Sequence, residues 1–356
     1  MNDTGRSAVR AEDAFDVDGV HAWLERHVDG LSGPAPDVVQ FTGGASNLTY
    51  LLSYPHPWKE LILRRPPAGE KAGSAHDVAR AYRVQEALKP LFPVVPEVRA
   101  LCRDPSVIGT DFYVMDKVPG IVLRGRLPRG MDLPPGRARA LSETFVDTLA
   151  DLHRVDPAAA GLAGLGRGAG YVRRQVEGWT RRYDRARTWN TPSFRRATAR
   201  LAEHQPDDVG LRVVHNDWRL DNPVLDEKSL RVTGVLDWEL STLGDPLMDF
   251  GSALAYWVQA DDGPMARAMR RRPSHLPGML TRAEIVEWYC DRTGLSAGHW
   301  PFYETFGLFR LAVIAQQISH RYHHKQTRNP AFRNLWPAVN HLEHRCRSTI
   351  RRVSGG

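Results

Sequence analysis

Two short segments in the middle of the chain constrain its fold and chemistry more than any other feature. They are His215-Asn216-Asp217-Trp218-Arg219-Leu220-Asp221-Asn222 and Val235-Leu236-Asp237-Trp238. Asn222 follows Asp217 by five residues in a predicted loop, and Asp237 follows Asp217 by twenty, at the end of a strand predicted over 232–236. A polar turn before a strand also uses Asp and Asn. The complete pattern is typical of phosphoryl transfer, in which one aspartate accepts a proton while an asparagine oxygen and a second aspartate bind Mg²⁺.

The bulk composition is that of a globular protein with room for two cores. The chain has 356 residues, of which 42% are hydrophobic and 25% are charged. No apolar run approaches the roughly 20 residues that span a bilayer, so no membrane partner is expected. The cysteines are too few and too scattered for a disulfide framework or a zinc site, which predicts a cytoplasmic protein. They are Cys102, Cys290 and Cys346.

The net charge suggests an anionic partner. It is +7 at neutral pH, with an isoelectric point near 9.5. A basic surface attracts nucleic acid, membranes, nucleotides or coenzyme A esters, although an arginine-rich solvated surface is a simpler explanation. No long basic run with interleaved aromatic residues is present, so we expect no nucleic-acid partner.

Hydrophobic periodicity predicts an α+β architecture in two lobes. Residues 1–37 form a tail, frayed over 1–12, and a helix over 16–28; residues 38–115 form a small lobe of five strands and one helix. A hinge at 116–120 leads to a mostly helical lobe over 121–356, with a catalytic loop at 215–222 and a metal loop at 235–249. The predicted strands are 38–41, 48–52, 60–64, 98–101 and 111–115, a loop covers 127–137, and the main helices cover 74–88, 141–153, 171–187 and 303–322.

The small lobe carries two candidates for nucleotide binding. A glycine-bearing turn, Gly43-Gly44-Ala45-Ser46-Asn47, joins the first two predicted strands, where backbone amides can approach phosphate oxygens. A plain hairpin would use the same residues. Arg64 ends the third predicted strand as a possible phosphate-binding cation, or as an ordinary surface residue. No Gly-x-x-x-x-Gly-Lys-[Ser/Thr] motif occurs, which excludes a P-loop enzyme.

Two aspartates that follow the metal loop are predicted to support the site. Buried carboxylates are costly unless they accept hydrogen bonds, so we expect Asp245 and Asp249 to brace the catalytic loop through its backbone amides. A helix N-cap is the alternative for Asp245, because Pro246 suits a first helical turn. His215, the first residue of the catalytic loop, is a further supporting candidate.

These motifs resemble the aminoglycoside phosphotransferase and choline kinase-like family, most closely the branch typified by the kinase-like domain of acyl-CoA dehydrogenase family members 10 and 11. The resemblance implies a bilobal protein-kinase-like fold, with a five-stranded antiparallel sheet and one helix in the small lobe. It also implies transfer of the γ-phosphate of ATP to a hydroxyl of a small molecule, by a monomer or homodimer. It is carried by 41–52, 61–67, 74–88, 108–120, 171–183 and 215–249.

The same resemblance implies a role for each matching residue. Asp217 becomes the catalytic base, and Asn222 and Asp237 become the Mg²⁺ ligands. The residues implied in ATP binding are Ser46 and Asn47 over the phosphates, Arg64 as the phosphate cation, and Met115, Asp116 and Val118 in the hinge that faces adenine.

Three positions depart from the family pattern. Ala81 stands where the helix over 74–88 usually carries a glutamate that pairs with the cation, and Asp77, one turn earlier, is a possible substitute. Asn216 replaces a glycine, and Pro223 replaces a leucine. These departures leave a catalytically impaired nucleotide-binding protein as an alternative function.

The charge of the chain bears on whether the acceptor is an anion or a polycation. The predicted helix over 171–187 carries six arginines against two carboxylates, whereas a polycationic aminoglycoside requires an acidic pocket. An anionic acceptor such as a hydroxyacyl-CoA is therefore favoured, with an antibiotic phosphotransferase as the alternative. The sequence does not distinguish ATP from GTP.

Overall fold

The structure is a computed structural model that describes residues 6–41, 47–55, 60–67, 77–326 and 329–354. Contacts within the chain divide it into two compact units. The first unit comprises Met1–Ile121, Ala160–Leu162 and Val224–Ser241. The second unit comprises Val122–Ala159, Ala163–Pro223 and Thr242–Gly356.

An antiparallel sheet forms the centre of the first unit. All five predicted strands are present, with a short sixth strand at one edge, and the order is β1-β2-β3-β4-β6-β5. The strands are β1 (Arg6–Ser7), β2 (Asp37–Phe41), β3 (Leu48–Ser53), β4 (Glu60–Arg65), β5 (Val98–Cys102) and β6 (Phe112–Asp116).

Helices cover both faces of this sheet. Helix α1 (Val17–His27) belongs to a core that includes Tyr50 and Leu63, and α2 (Val78–Leu88) belongs to a second core that includes Ile62. Successive side chains of a strand point to opposite faces, which is why the strands are apolar at consecutive positions. The same alternation along β4 sends Arg64 to the α2 face and Arg65 to the α1 face, where Arg65 donates to the Tyr50 hydroxyl at 3.0 Å.

The expectation of a frayed tail over residues 1–12 is wrong for its later part. Strand β1 pairs with β2 through Arg6 opposite Phe41, and the backbone N–H of Arg10 donates to the side-chain oxygen of Gln40 at 3.0 Å. A two-residue strand is too short to produce a periodic pattern, and its partner supplies the hydrogen bonds that hold it. This segment closes one edge of the sheet.

The first unit also includes 224–241, a segment that the sequence-based division assigned to the helical lobe. The backbone N–H of Val235 donates to the carbonyl of Val94 at 2.7 Å, and the Trp238 ring meets Phe92 edge to face at 6.1 Å. These contacts tie the segment to the first unit. Its remaining elements are α3 (Pro105–Ile108), a three-stranded sheet in the order β10-β9-β7, and a 3₁₀ turn over Trp238–Leu240; the three strands are β7 (Ile121–Val122), β9 (Pro223–Leu225) and β10 (Val232–Val235).

The second unit is mainly helical. Strand β8 (Arg212–Val214) precedes the two central motifs, and β11 (Thr242–Gly244) follows them. The two strands form a short antiparallel pair. Helix α4 starts within the predicted loop over 127–137, because Pro135 is tolerated in a first helical turn. The helices are α4 (Pro135–Arg154), α5 (Tyr171–Ala186), α6 (Arg195–Glu203), α7 (Pro246–Leu254), α8 (Pro264–Met269), α9 (Arg282–Thr293), α10 (Trp300–His323) and α11 (Trp336–Ser354).

Close packing of two glycines sets the position of α10. A Cβ atom added to Gly307 would lie 2.1 Å from the carbonyl oxygen of Gly251 in α7. Only glycine permits this approach between the two helix backbones. Arg310 lies about one turn beyond Gly307, and the contact therefore brings Arg310 to the loop that precedes β9.

Candidate active site

Asp249 holds the start of the catalytic loop. Its carboxylate accepts hydrogen bonds from the backbone N–H groups of His215 at 2.8 Å and Asn216 at 2.9 Å, and from the His153 ring at 3.2 Å. Burial opposes its ionisation, but the His153 hydrogen bond and the neighbouring imidazoles hold the pKa of Asp249 below its ordinary value. The result is a buried anion fully occupied in fixing the loop backbone.

Asp245 is a helix N-cap, which was the alternative role predicted for it. One carboxylate oxygen caps α7 by accepting from the Met248 N–H at 3.0 Å, and the other accepts from the Val209 N–H at 2.8 Å. Burial raises the pKa of Asp245 despite these hydrogen bonds. Its bonds therefore anchor the segment before β8, and the expected bonds to catalytic-loop amides are made by Asp249 instead.

The backbone conformation at Asn216 explains why a glycine is usual at this position in the family. Its φ of 63° lies in the left-handed region, which asparagine tolerates better than most residues. The Asn216 side-chain oxygen accepts a hydrogen bond from the Tyr171 hydroxyl at 3.0 Å, and its carbonyl accepts one from Arg310. The side chains of Tyr171 and Arg310 therefore hold Asn216, the residue that replaces glycine, within the second unit.

The proposed base, Asp217, lies in a polar and partly accessible setting. Its side chain is 20% exposed, and one carboxylate oxygen lies 3.0 Å from a guanidinium nitrogen of Arg219. The Asp217 N–H donates to the His215 ring at 3.2 Å, while the indole of Trp218 donates to the Phe145 carbonyl at 3.3 Å. These bonds fix the backbone on both sides of a carboxylate that can accept a proton.

The side chain of Asn222 is oriented with its oxygen available as a metal ligand. Its amide nitrogen donates to the Asp217 carbonyl at 2.6 Å, and within the described residues its side-chain oxygen accepts no hydrogen bond. Mg²⁺ prefers oxygen ligands and takes few of them from protein, since waters and phosphates complete its shell. Among the residues that the structure describes, no group of three or more His, Cys, Asp or Glu side chains forms a metal cluster. The Asn222 side-chain oxygen is therefore a group of the kind that Mg²⁺ prefers.

In the first unit, Arg64 lies between two carboxylates of the metal loop. A guanidinium nitrogen contacts Asp237 at 2.9 Å, and the other terminal nitrogen forms an ion pair with Glu239. Burial opposes the charge of Arg64, but Glu239 and Asp237 hold its pKa above the ordinary arginine value. Asp237 is 38% exposed and has a left-handed φ of 65°, a strained conformation of the kind found at functional sites.

The missing glutamate on α2 is replaced from another part of the chain. Ala81 is buried in the core between α2 and the sheet, and Asp77 caps α2 by accepting from the Arg80 N–H at 2.8 Å. Asp77 is therefore not the substitute, because its carboxylate is used at the helix terminus. Glu239 supplies the counter-charge, and its backbone carbonyl accepts from Arg80 of α2 at 3.3 Å.

Of the other residues predicted to contact the nucleotide, those that the structure describes lie in the first unit. Ser46 is outside the described residues, and Asn47 is buried next to β3. Met115 packs in the α2-side core, while Asp116 accepts two hydrogen bonds from Arg99 at 2.8 and 2.6 Å. Val118 packs against Gly234, where a Cβ atom would meet it at 2.7 Å.

Sequence reasoning missed Glu239, Arg219 and Arg310. Glu239 is two residues beyond Asp237, and this repeat of carboxylates was the available signal. Arg219 lies within the catalytic loop, two residues from Asp217, so its pairing was also accessible. Arg310 had no signal, because its approach depends on the contact between α7 and α10.

A surface groove in the second unit is separate from these residues. It has a volume of about 290 Å³ and is lined by the end of α6, the start of α10 and Ile350 of α11. No predicted site residue lines it.

The fold is α+β and protein-kinase-like. The model of the phosphotransferase enzyme family matches residues 37–285, and the chain belongs to that family. A structure from Ralstonia eutropha JMP134, solved as a candidate aminoglycoside phosphotransferase, is 32% identical with a TM-score of 0.79; the alignment covers 95% of this chain and 99% of that one. A macrolide 2′-phosphotransferase type I, 20% identical with a TM-score of 0.60 over 94% and 97% of the two chains, shares the fold.

Curated relatives are larger proteins. The chain is 36% identical to acyl-CoA dehydrogenase family member 10 of Mus musculus over 84% of its own length and 28% of the relative. It is 34% identical to acyl-CoA dehydrogenase family member 11 of Homo sapiens over 86% of its length and 40% of that protein. The chain thus spans well under half of these relatives. In the described part of the chain, no helix is long and apolar enough to cross a membrane.

Proposed function

We propose that the chain is an ATP- and Mg²⁺-dependent O-phosphotransferase that acts on a hydroxyl of an anionic small molecule. The observation that carries the proposal is the catalytic loop. Its backbone is fixed by Asp249, its Asp217 carboxylate is partly accessible, and its Asn222 side-chain oxygen is left for a cation. Phosphoryl transfer depends mainly on positioning and electrostatics, which such a loop provides.

In the proposed reaction, Asp217 accepts the proton of the acceptor hydroxyl. The oxygen forms a bond to the γ-phosphorus, the bond from phosphorus to the bridging oxygen breaks, and ADP leaves with that electron pair. Asp217 then releases its proton to solvent. The ion pair with Arg219 orients the Asp217 carboxylate. Ser46, Asn47, Met115, Asp116 and Val118 are proposed ATP contacts.

The cation and metal roles follow from the donor groups. Arg64 would neutralise phosphate charge, and its two carboxylate partners keep it protonated and in place. Asn222 and Asp237 would hold Mg²⁺, which supplies charge neutralisation of the phosphates when bound. Both residues would offer the metal hard oxygen atoms, which Mg²⁺ prefers.

The acceptor is proposed to be a hydroxyacyl-CoA. Helix α5 is rich in arginine, which suits an anion and disfavours polycations such as kanamycin, the ligand named for one structural neighbour. The relatives described as acyl-CoA dehydrogenases make an acyl-CoA chemically apt. A cytoplasmic location and a monomer or homodimer are part of the same proposal.

The test is γ-phosphate transfer to a panel of hydroxyacyl-CoA esters, kanamycin and a macrolide, with ATP or GTP as donor. We expect transfer to a hydroxyacyl-CoA, lost by a factor of about 10³ in Asp217→Asn because proton transfer is removed. Asp226→Asn, which removes a carboxylate from the turn after β9, is the matched control and should keep full activity. Unchanged turnover in Asp217→Asn would contradict the role of Asp217.

Nucleotide binding separates an enzyme from an impaired homologue. Calorimetry of ATP with Mg²⁺ should show binding in both the wild type and Asp217→Asn. Binding without transfer to any acceptor of the panel would favour the nucleotide-binding alternative.

A further inference from the structure

Two arginines of the second unit lie over the same aromatic ring. The guanidinium carbon of Arg182 is 4.6 Å from the centre of the Trp179 ring, and that of Arg310 is 5.1 Å from it. Trp179 is half-buried, and its indole N–H donates to Gln175 at 3.0 Å, which fixes the ring on α5. The Trp179 ring therefore contacts two cations that come from different helices.

Neither arginine has a carboxylate partner among the described residues. Arg310 is only 5% exposed, and its one hydrogen bond there is to the carbonyl of Asn216. Burial and the positive charges of Arg310, Arg185 and Arg181 lower the pKa of Arg182. Adjacent Arg181, by contrast, forms an ion pair with Glu177 at 3.6 Å. Arg182 and Arg310 thus form a concentration of positive charge that the fold leaves without a counter-ion.

This charge lies next to the proposed reaction. The carbonyl that Arg310 binds belongs to the residue directly before Asp217. Two other arginines near the loop are different, because Arg219 pairs with Asp217 and Arg272 pairs with Asp221. Arg310 is a buried cation without a carboxylate partner among the described residues, which is costly and favours a bound anion beside it, and the more exposed Arg182 is placed to share that anion.

We propose that Arg182 and Arg310 bind a phosphate group already carried by the acceptor, with Trp179 as the surface that aligns them. This inference rests on the proposed function and adds the residues that select the acceptor. Two guanidinium groups offer several N–H donors in planar forks, and a phosphate dianion supplies enough oxygens and charge for both. A phosphorylated acceptor would thereby be selected over its unphosphorylated analogue.

The first test is a calorimetric titration of the protein with inorganic pyrophosphate in metal-free buffer, with and without saturating ADP. We expect binding that persists in the presence of ADP and is about tenfold weaker in Arg182→Gln, the size of a lost charged hydrogen bond. Arg182 is exposed enough to be replaced without disturbing the core, and Arg182→Lys should recover part of the affinity. Arg181→Gln, the same change one residue away, should stay within about twofold.

Three results would overturn the proposal. They are no binding to the wild type, binding that ADP abolishes, and equal affinity in wild type and Arg182→Gln. Since the titration requires no turnover, failure of the proposed enzyme activity would leave these outcomes unchanged. If transfer to an acyl-CoA is found, Arg182→Gln should raise KM for it about tenfold with kcat within twofold, and should leave KM for its dephosphorylated analogue unchanged.

Discussion

Arg64 in the first unit and Arg310 in the second are buried to the same degree, at 6% and 5% exposure, yet their surroundings are opposite. Arg64 contacts two carboxylates, Asp237 and Glu239. Arg310 contacts a backbone carbonyl and an aromatic ring, and no described carboxylate pairs with it. In the first unit, protein carboxylates neutralise Arg64. In the second unit, the charge of Arg310 is left to pair with a ligand.

This difference separates two uses of a buried arginine. A charge matched by protein carboxylates is held in place before any ligand arrives. A charge held only by a carbonyl and a ring keeps most of its attraction for an anion. We therefore infer that Arg64 is held in a fixed position before a ligand binds, whereas Arg310 serves to recognise an anion.

The largest effect is expected when the matched cation loses its partner. Glu239→Ala leaves Arg64 with Asp237 alone, and we expect the free energy of unfolding to fall by about 3 kcal/mol, measured by urea denaturation. The double variant Arg64→Met, Glu239→Leu should recover much of this loss, because it removes both charges together.

The control for that experiment is an exposed pair on the same sheet. Glu60→Ala breaks an ion pair with Lys117 in which both side chains are partly exposed, and it should cost roughly 0.5 kcal/mol. A similar cost for Glu60→Ala and Glu239→Ala would mean that burial does not distinguish the pair at Arg64.

An intermediate effect is expected at the catalytic loop of the second unit. Asn216→Ala should lower stability by about 2 kcal/mol, because alanine tolerates the left-handed backbone poorly and the Tyr171 hydrogen bond is lost. Asn216→Gly removes the same bond but relieves the backbone, so its cost should stay within about 1 kcal/mol. Equal costs for the two variants would show that the backbone at Asn216 is not strained.

The smallest effect is on the pH dependence of stability. The pKa of Asp249 is lowered in the folded protein, so its charge stabilises the fold above the ordinary aspartate pKa near 4. This stabilisation is lost as pH falls through the lowered folded value. Denaturation of the wild type and Asp249→Asn at neutral and acid pH should show their difference in stability shrinking on acidification. A difference that widens with acid would contradict the direction of the shift.

The strands of the first unit could be predicted because their cores follow simple patterns. Apolar runs bounded by turn residues gave all five sheet strands to within two residues at each end, and helical spacing gave α1, α5 and α10. Strand β1 carried no such signal, since two residues show no period and its stability comes from β2. The start of α4 was missed because proline and glycine are typical of both loops and first helical turns.

Prediction of the site depended on whether its contacts are local. The support of the catalytic loop by Asp249 was expected from the cost of burying a carboxylate, and the structure shows its hydrogen bonds to two loop amides. Glu239 as the partner of Arg64 required knowledge of which strand face Arg64 occupies. The approach of Arg310 depended on Gly251 and Gly307, which are far apart in the chain. Such contacts are properties of packing and leave no spacing in the sequence.

The return of the chain to the first unit at Val224–Ser241 has a consequence for biosynthesis. Val224 follows Ile121 by 103 residues, so the first unit is incomplete when its first 121 residues leave the ribosome. At typical translation rates of roughly 5–20 residues per second, the segment with Asp237 and Glu239 arrives about 5 to 20 seconds later. During that interval Arg64 has neither carboxylate, and the nascent sheet lacks the charges that later hold this cation.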